Sequence, residues 1–204
     1  ERGVVITIEA FDWNCPKYIT PRFTEPEVKA LISHWQQDVA KSKPAPGDFD
    51  EIGSGPLKLV VTGMRQLTPQ VRAYELRAPD RSDLPRVTAG AHIVVPVRLP
   101  DGAVVTRQYS LATHPQQRNT FEIAVLREDA GRGGSAAIHT SWQIGTRLAM
   151  AQPTNQFPMH ADGRHAVLIA GGIGITPIRA MAQALKARGG SFELHYSSRT
   201  PADM

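Results

Sequence analysis

Cysteine is nearly absent from this 204-residue chain, where Cys15 stands alone. That excludes an internal disulfide, and it leaves an iron–sulfur cluster, commonly held by four thiolates, without its ligands in this chain. Also missing is any run approaching the roughly 18 uninterrupted apolar residues of a membrane helix, so no membrane partner is expected. The N-terminus has neither the basic nor the apolar region of a signal peptide. Lys and Arg number 23 against 19 Asp and Glu, a net charge of +4. The basic residues are scattered, with no run of about five or six together, and a nucleic-acid partner is not expected. There is no internal repeat, no low-complexity tract and no His-x-x-x-His spacing, so His92, His139 and His195 read as structural and no metal site is expected. A cytoplasmic location is the default expectation. A chain that opens at Glu1 without methionine is expected to be a fragment. What is present, 41% hydrophobic and 21% charged residues, is the balance of an ordinary folded protein.

Branched residues at 3–10 predict a strand, followed by a proline-studded stretch at 11–23. Thr24 then reads as an N-cap, with Pro26 in the first turn and Val28, Leu31, Ile32 and Trp35 on one apolar face, which predicts a helix to about Lys41. Residues 43–56, rich in Pro, Gly, Ser and Asp, read as a linker after an N-terminal unit at 1–42. From 57 the period changes. Strand-like runs at 57–62, 71–78, 91–99, 103–111, 120–127 and 147–152 predict a six-stranded antiparallel barrel over 57–162. Alternation places Tyr74 with Leu76, and Phe121 with Ile123 and Val125, on single faces, and Pro100-Asp101-Gly102 supplies a hairpin turn. A short helix at 135–142 interrupts the strands, with Trp142 as a core residue of its face. Over 163–204 an apolar strand at 166–170, a helix at 176–188 and a strand at 192–196 make a βαβ unit, the start of a parallel-sheet nucleotide-binding domain.

Three local features bear chemistry. In Arg107-Gln108-Tyr109-Ser110-Leu111, at a strand end, alternation sends Arg107 and Tyr109 to one face. An arginine forked onto a phosphate and an aromatic ring beside a flat tricycle would suit a flavin, with the Ser110 hydroxyl bonding a ring nitrogen; an ordinary surface strand has the same alternation. Gly131-Arg132-Gly133-Gly134-Ser135 precedes a helix and reads as a phosphate cradle, or as a plain turn with Ser135 as N-cap. Gly171-Gly172-Ile173-Gly174-Ile175-Thr176-Pro177 lies between strand and helix, with Thr176 as N-cap and Pro177 at the first helical position. Proline stands where the usual dinucleotide fingerprint has its last glycine.

In this order and spacing the three elements resemble the ferredoxin-reductase-type flavoprotein family, which pairs a flavin barrel with a nicotinamide domain. Gly90-Ala91-His92-Ile93 and Pro153-Thr154-Asn155-Gln156-Phe157 extend the likeness to the branch of phthalate dioxygenase and vanillate demethylase reductase components. The resemblance implies hydride transfer from NADH or NADPH to a bound flavin and onward delivery to a one-electron acceptor, an iron–sulfur domain outside this chain or an acceptor protein. It favours FMN, with FAD the alternative. It implies that Arg107 and Ser135, with Gly133 and Gly134, hold phosphate. Tyr109, Ser110 and Leu111 would face the ring, Ser110 tuning it catalytically. Ala124, Val125 and Leu126 would touch it through strand backbone, and Gly171, Gly172, Gly174, Thr176 and Pro177 would serve the nucleotide. Ser197, Ser198 and Arg199 would suit the 2′-phosphate of NADPH, whereas the branch favours NADH. Residues 11–19 resemble the tail of a pyridoxamine-phosphate-oxidase-like split barrel. Two other readings stand beside this one: a non-catalytic ligand-binding or docking module that retains the fold, and a split-barrel oxidase.

Overall fold

The computed structural model describes residues 4–8, 50–114 and 116–200. The chain divides into two units, residues 1–9 with 50–204, and residues 10–49. The second unit, with Cys15, the expected helix to Lys41 and the split-barrel resemblance, lies outside the described residues.

Eight strands and a helix make the larger region: β2 (Ile52–Gly53), β3 (Leu57–Gln66), β4 (Val71–Arg77), β5 (Ala91–Arg98), β6 (Val104–Ser110), β7 (Phe121–Leu126), α1 (Gly134–Ser141), β8 (Arg147–Met150) and β9 (Thr154–Asn155). All six expected strands form. Their hydrogen bonding does not run round a closed barrel, however. It gives a five-stranded sheet, β2-β8-β3-β4-β7, and a three-stranded sheet, β6-β5-β9, facing one core. β2 falls inside the stretch read as linker because Ile52 is buried and pairs with Leu148 of β8.

Alternation decides what faces inward. Tyr74, Leu76, Phe121, Ile123 and Val125 are wholly buried, and each large side chain taken from water contributes about 1.5–3 kcal/mol. Helix α1 closes this core through Ala137 and Ile138, with Trp142 just beyond its end. The Tyr74 hydroxyl donates to the Ile138 carbonyl at 3.3 Å, and its ring meets Trp142 edge-on at 5.5 Å between centroids. His139 Nε2–H donates to the Val125 carbonyl at 2.9 Å, and burial holds the imidazole below its ordinary pKa. The helix is thereby tied to the backbone of β7.

The βαβ region is β10 (Ala166–Gly171), a 3₁₀ turn (Gly172–Gly174), α2 (Ile175–Ala187) and β11 (Phe192–Ser198). β10 and β11 are parallel, as the βαβ reading requires, and β1 (Val4–Ile8) adds antiparallel to the far edge of β11. Leu168, Ala170 and Leu194 meet Ile178, Met181 and Leu185 of α2. The passage between the regions is close. Gly90 has φ +91°, and a Cβ there would lie 1.9 Å from the Phe157 carbonyl oxygen. Beside it, Asn155 Nδ2 donates to Thr88 Oγ1 at 2.6 Å and to the Ala89 carbonyl at 3.0 Å. No helix among the described residues is long and apolar enough to cross a membrane.

Candidate functional site

The three sequence features converge on one cleft of about 410 Å³. β6 contributes Arg107, Gln108, Tyr109 and Ser110, and β7 contributes Ala124 and Leu126. The loop into α1 brings Glu128, Arg132, Gly134 and Ser135, and the glycine turn brings Ile173, Gly174, Thr176 and Pro177. Of the expected residues, Leu111, Val125, Gly133, Gly171 and Gly172 do not line the cleft. The side chains of Leu111 and Val125 pack in the barrel core. Gln108, Glu128, Arg132 and Ile173 line it without having been singled out.

The loop geometry follows from glycine. Gly133 has φ +75°, the left-handed region that a Cβ disfavours, and it occupies the cap position of α1 without a side chain to offer. Helix α1 therefore opens at Gly134, one residue before the expected start. Ser135 is not its N-cap; its hydroxyl accepts the Glu128 backbone N–H at 3.0 Å. The first internal bond of α1 runs from the Ala137 N–H to the Gly133 carbonyl, and no side chain caps the amides before it. An uncapped first turn of this kind presents N–H groups and partial positive charge to an anion.

Arg107 reaches across to this loop, donating from Nη2 to the Arg132 carbonyl at 3.1 Å and from Nη1 to the Thr106 carbonyl at 2.8 Å. A Cβ on Gly134 would lie 2.4 Å from Arg107 Nε, so with a side chain there the guanidinium would have to move from where it now crosses the backbone. Tyr109 stays a neutral phenol, pushed up to about 12 mainly by burial against the pull of Arg107. On the opposite wall, Thr176 is not the N-cap of α2 and Pro177 is not its first residue. The 3₁₀ turn runs directly into the helix and the Ile175 N–H already bonds the Gly172 carbonyl, so α2 opens at Ile175 with no side-chain cap. Thr176 Oγ1 donates back to the Ile173 carbonyl at 3.0 Å. Ser198, considered for a 2′-phosphate, is buried and donates to the Thr200 carbonyl at 2.7 Å.

The cleft thus combines a cationic, amide-rich corner, an aromatic and strand-backbone wall, and a glycine turn from a βαβ unit. Together with the two-sheet core beside it, that combination defines a flavoprotein oxidoreductase domain of the ferredoxin-reductase type. Residues 58–158 match the oxidoreductase FAD-binding domain family. It is 43% identical over 144 residues to the vanillate O-demethylase oxidoreductase of Acinetobacter baylyi, covering 71% of this chain and 44% of that protein. It is 44% identical over 142 residues to the reductase subunit of the tert-butanol monooxygenase / tert-amyl alcohol desaturase of Aquincola tertiaricarbonis, covering 68% and 41%. Among solved structures, phthalate dioxygenase reductase, described as a modular structure for electron transfer from pyridine nucleotides to [2Fe-2S], is 36% identical with a TM-score of 0.67, covering 72% of this chain and 45% of that one. The chain spans less than half the length of these relatives.

Proposed function

We propose that this chain is the flavin-binding and first nucleotide-binding portion of an NAD(P)H-dependent reductase, and that the cleft holds FMN. One observation bears most of the weight: Arg107 lies over bare Gly134 backbone at the uncapped start of α1. The residues present fit a terminal phosphate there, since the guanidinium lies against bare backbone beside first-turn amides that no side chain caps. Arg107, Arg132 and Ser135, with the amides at Gly133 and Gly134, would hold the phosphate. Tyr109, Ser110 and Leu111 would stand at the ring, with Ala124, Val125 and Leu126 contributing strand backbone. The glycine turn from Gly171 to Gly174, with Thr176 and Pro177, would face the nicotinamide nucleotide.

When bound, the flavin converts a two-electron hydride donor into a supply of single electrons. The protein's own role is positional. Neutral Tyr109 offers an uncharged aromatic wall, and Ser110 would donate to or accept from the ring edge and so tune it. The electrons would pass to a one-electron acceptor, an iron–sulfur domain or a separate acceptor protein, in the manner of the relatives' reductase components. A short loop closing on one phosphate favours FMN over the longer pyrophosphate and adenosine of FAD. Family likeness favours NADH, and of the three residues suited to a 2′-phosphate Ser198 spends its hydroxyl on Thr200, while Ser197 and Arg199 are exposed.

The test is a flavin titration of the purified chain, followed by absorbance and quenching of flavin fluorescence. Tight FMN binding with weaker FAD binding is expected. Arg107→Ala removes a charged hydrogen-bonding group, and the FMN Kd should rise about 10- to 100-fold. Full retention of FMN by Arg107→Ala would sink the phosphate assignment. A chain that takes up neither flavin would favour a docking module that retains the fold.

A further inference from the structure

Glu122 stands on β7 between two residues of the buried face, Phe121 and Ile123. Alternation therefore puts it on the opposite face together with Ala124 and Leu126, which line the cleft. Its backbone is fixed on both sides: its N–H donates to Thr113 Oγ1 at 2.5 Å and its carbonyl accepts the Ala112 N–H at 2.8 Å. Its carboxylate receives Nη1 of Arg179 through Oε1. Arg65 Nη2 lies 3.6 Å from the other oxygen.

Arg179 lies on α2, two residues beyond Pro177 and close to one turn from Ile175. It does not line the cleft. The apolar anchoring of α2 falls to its neighbours Ile178, Ala180, Met181 and Ala182, all buried. The Arg179–Glu122 contact spans 57 positions of sequence and joins the wall strand to the helix that follows the glycine turn. Its two side chains are 20% and 18% exposed, and in every other ion pair of the described residues at least one partner is more than a third exposed. An ion pair largely withdrawn from solvent is screened less by salt than an exposed one and holds a narrower geometry.

We propose that Arg179 and Glu122 are a positioning pair: they fix the wall formed by Ile173, Gly174, Thr176 and Pro177 against β7, and so set how the nucleotide segment faces the flavin without adding to flavin affinity. The inference rests on the cleft being the flavin site. Neither residue lines the cleft; each acts through the backbone it holds.

The test uses the whole chain with FMN as probe, and compares Arg179→Met, Arg179→Lys and Glu122→Gln. Arg179→Met keeps most of the length of the side chain and removes the charge. FMN affinity should stay within about twofold of the parent in all three, because the phosphate corner is untouched. Amide hydrogen exchange at residues 173–178 should rise about tenfold in Arg179→Met and Glu122→Gln, and return most of the way in Arg179→Lys. The visible circular dichroism of bound FMN, which reports the asymmetry of its surroundings, should change in the first and third of these variants and recover in Arg179→Lys. Unchanged exchange and unchanged flavin dichroism in both charge-removing variants would overturn the inference. If the parent chain binds no flavin, the functional reading fails by itself, and exchange at 173–178 in the ligand-free protein still decides whether the pair fixes the wall.

Discussion

In β7 the inward side chains Phe121, Ile123 and Val125 are wholly buried, whereas in β10 the alternate residues Val167 and Ile169 are 53% and 72% exposed. Both strands are largely apolar runs of six residues. The difference lies in what each sheet packs against. In the barrel a pair of sheets and α1 close on one another, so an inward position finds partners from three directions. In the nucleotide-binding region α2 covers one face of the sheet, taking Leu168 and Ala170, and the described residues put nothing on the other. An apolar strand states that it belongs in a layered sheet; it does not state how many layers are there.

The largest test of this contrast is a truncation in the closed core. Phe121→Ala deletes a wholly buried ring and should cost about 3–5 kcal/mol, the transfer free energy of the ring plus that of the cavity it leaves. Urea unfolding followed by far-ultraviolet circular dichroism would show it as a lower midpoint at similar slope. A loss of less than about 1 kcal/mol would mean that the barrel core relaxes around the gap, and the contrast with β10 would collapse.

A smaller effect separates the two regions by pH. His139, buried beneath β7 and donating to the Val125 carbonyl, has its pKa held below 6.5, first by burial and then against the favourable carbonyl contact. The neutral form is thus the one the fold prefers. Between its folded pKa and 6.5 the unfolded chain binds more protons, so stability rises with pH; the contribution is complete above 6.5 and is lost as pH falls toward the folded value. Thermal unfolding from about pH 7 to about pH 5 should show a decline in Tm that is shallower in His139→Gln. An undiminished decline in His139→Gln would show that the pH response is not a property of the closed core.

Much of the barrel was legible in the residues because its signals are local. Period-two alternation and turn residues such as Pro100-Asp101-Gly102 need no knowledge of the rest of the chain, and all six runs form strands. Pairing between strands far apart in sequence is not local, so the open hydrogen-bonding pattern of two sheets was not readable. The cleft was legible to the extent that its three motifs sit at strand and helix ends. Both helix starts were read one residue late for a shared reason: Ser135 and Thr176 have side chains that cap well, while the backbone itself opens each helix through glycine, at Gly133 with φ +75° and at the 3₁₀ turn of Gly172–Gly174. Arg132 and Glu128 reach the cleft through that same loop conformation, for which no periodicity exists. The contact of Glu122 with Arg179 joins residues with no local signal between them.

The smallest expected effect sharpens the comparison most. Ile169→Thr keeps a β-branched side chain in β10, so the strand backbone is undisturbed, and it removes apolar surface that is 72% exposed. If burial and not apolar character makes a strand residue matter, this change should move stability by no more than about 0.5 kcal/mol, against the several expected from Phe121→Ala. The same urea midpoint measures both. A loss above about 1.5 kcal/mol would mean that the outer face of β10 is covered in solution, and sedimentation at rising protein concentration would show whether a second copy provides the cover. A neutral change would show that the exposure of these residues, and not their apolar character, sets how little they contribute.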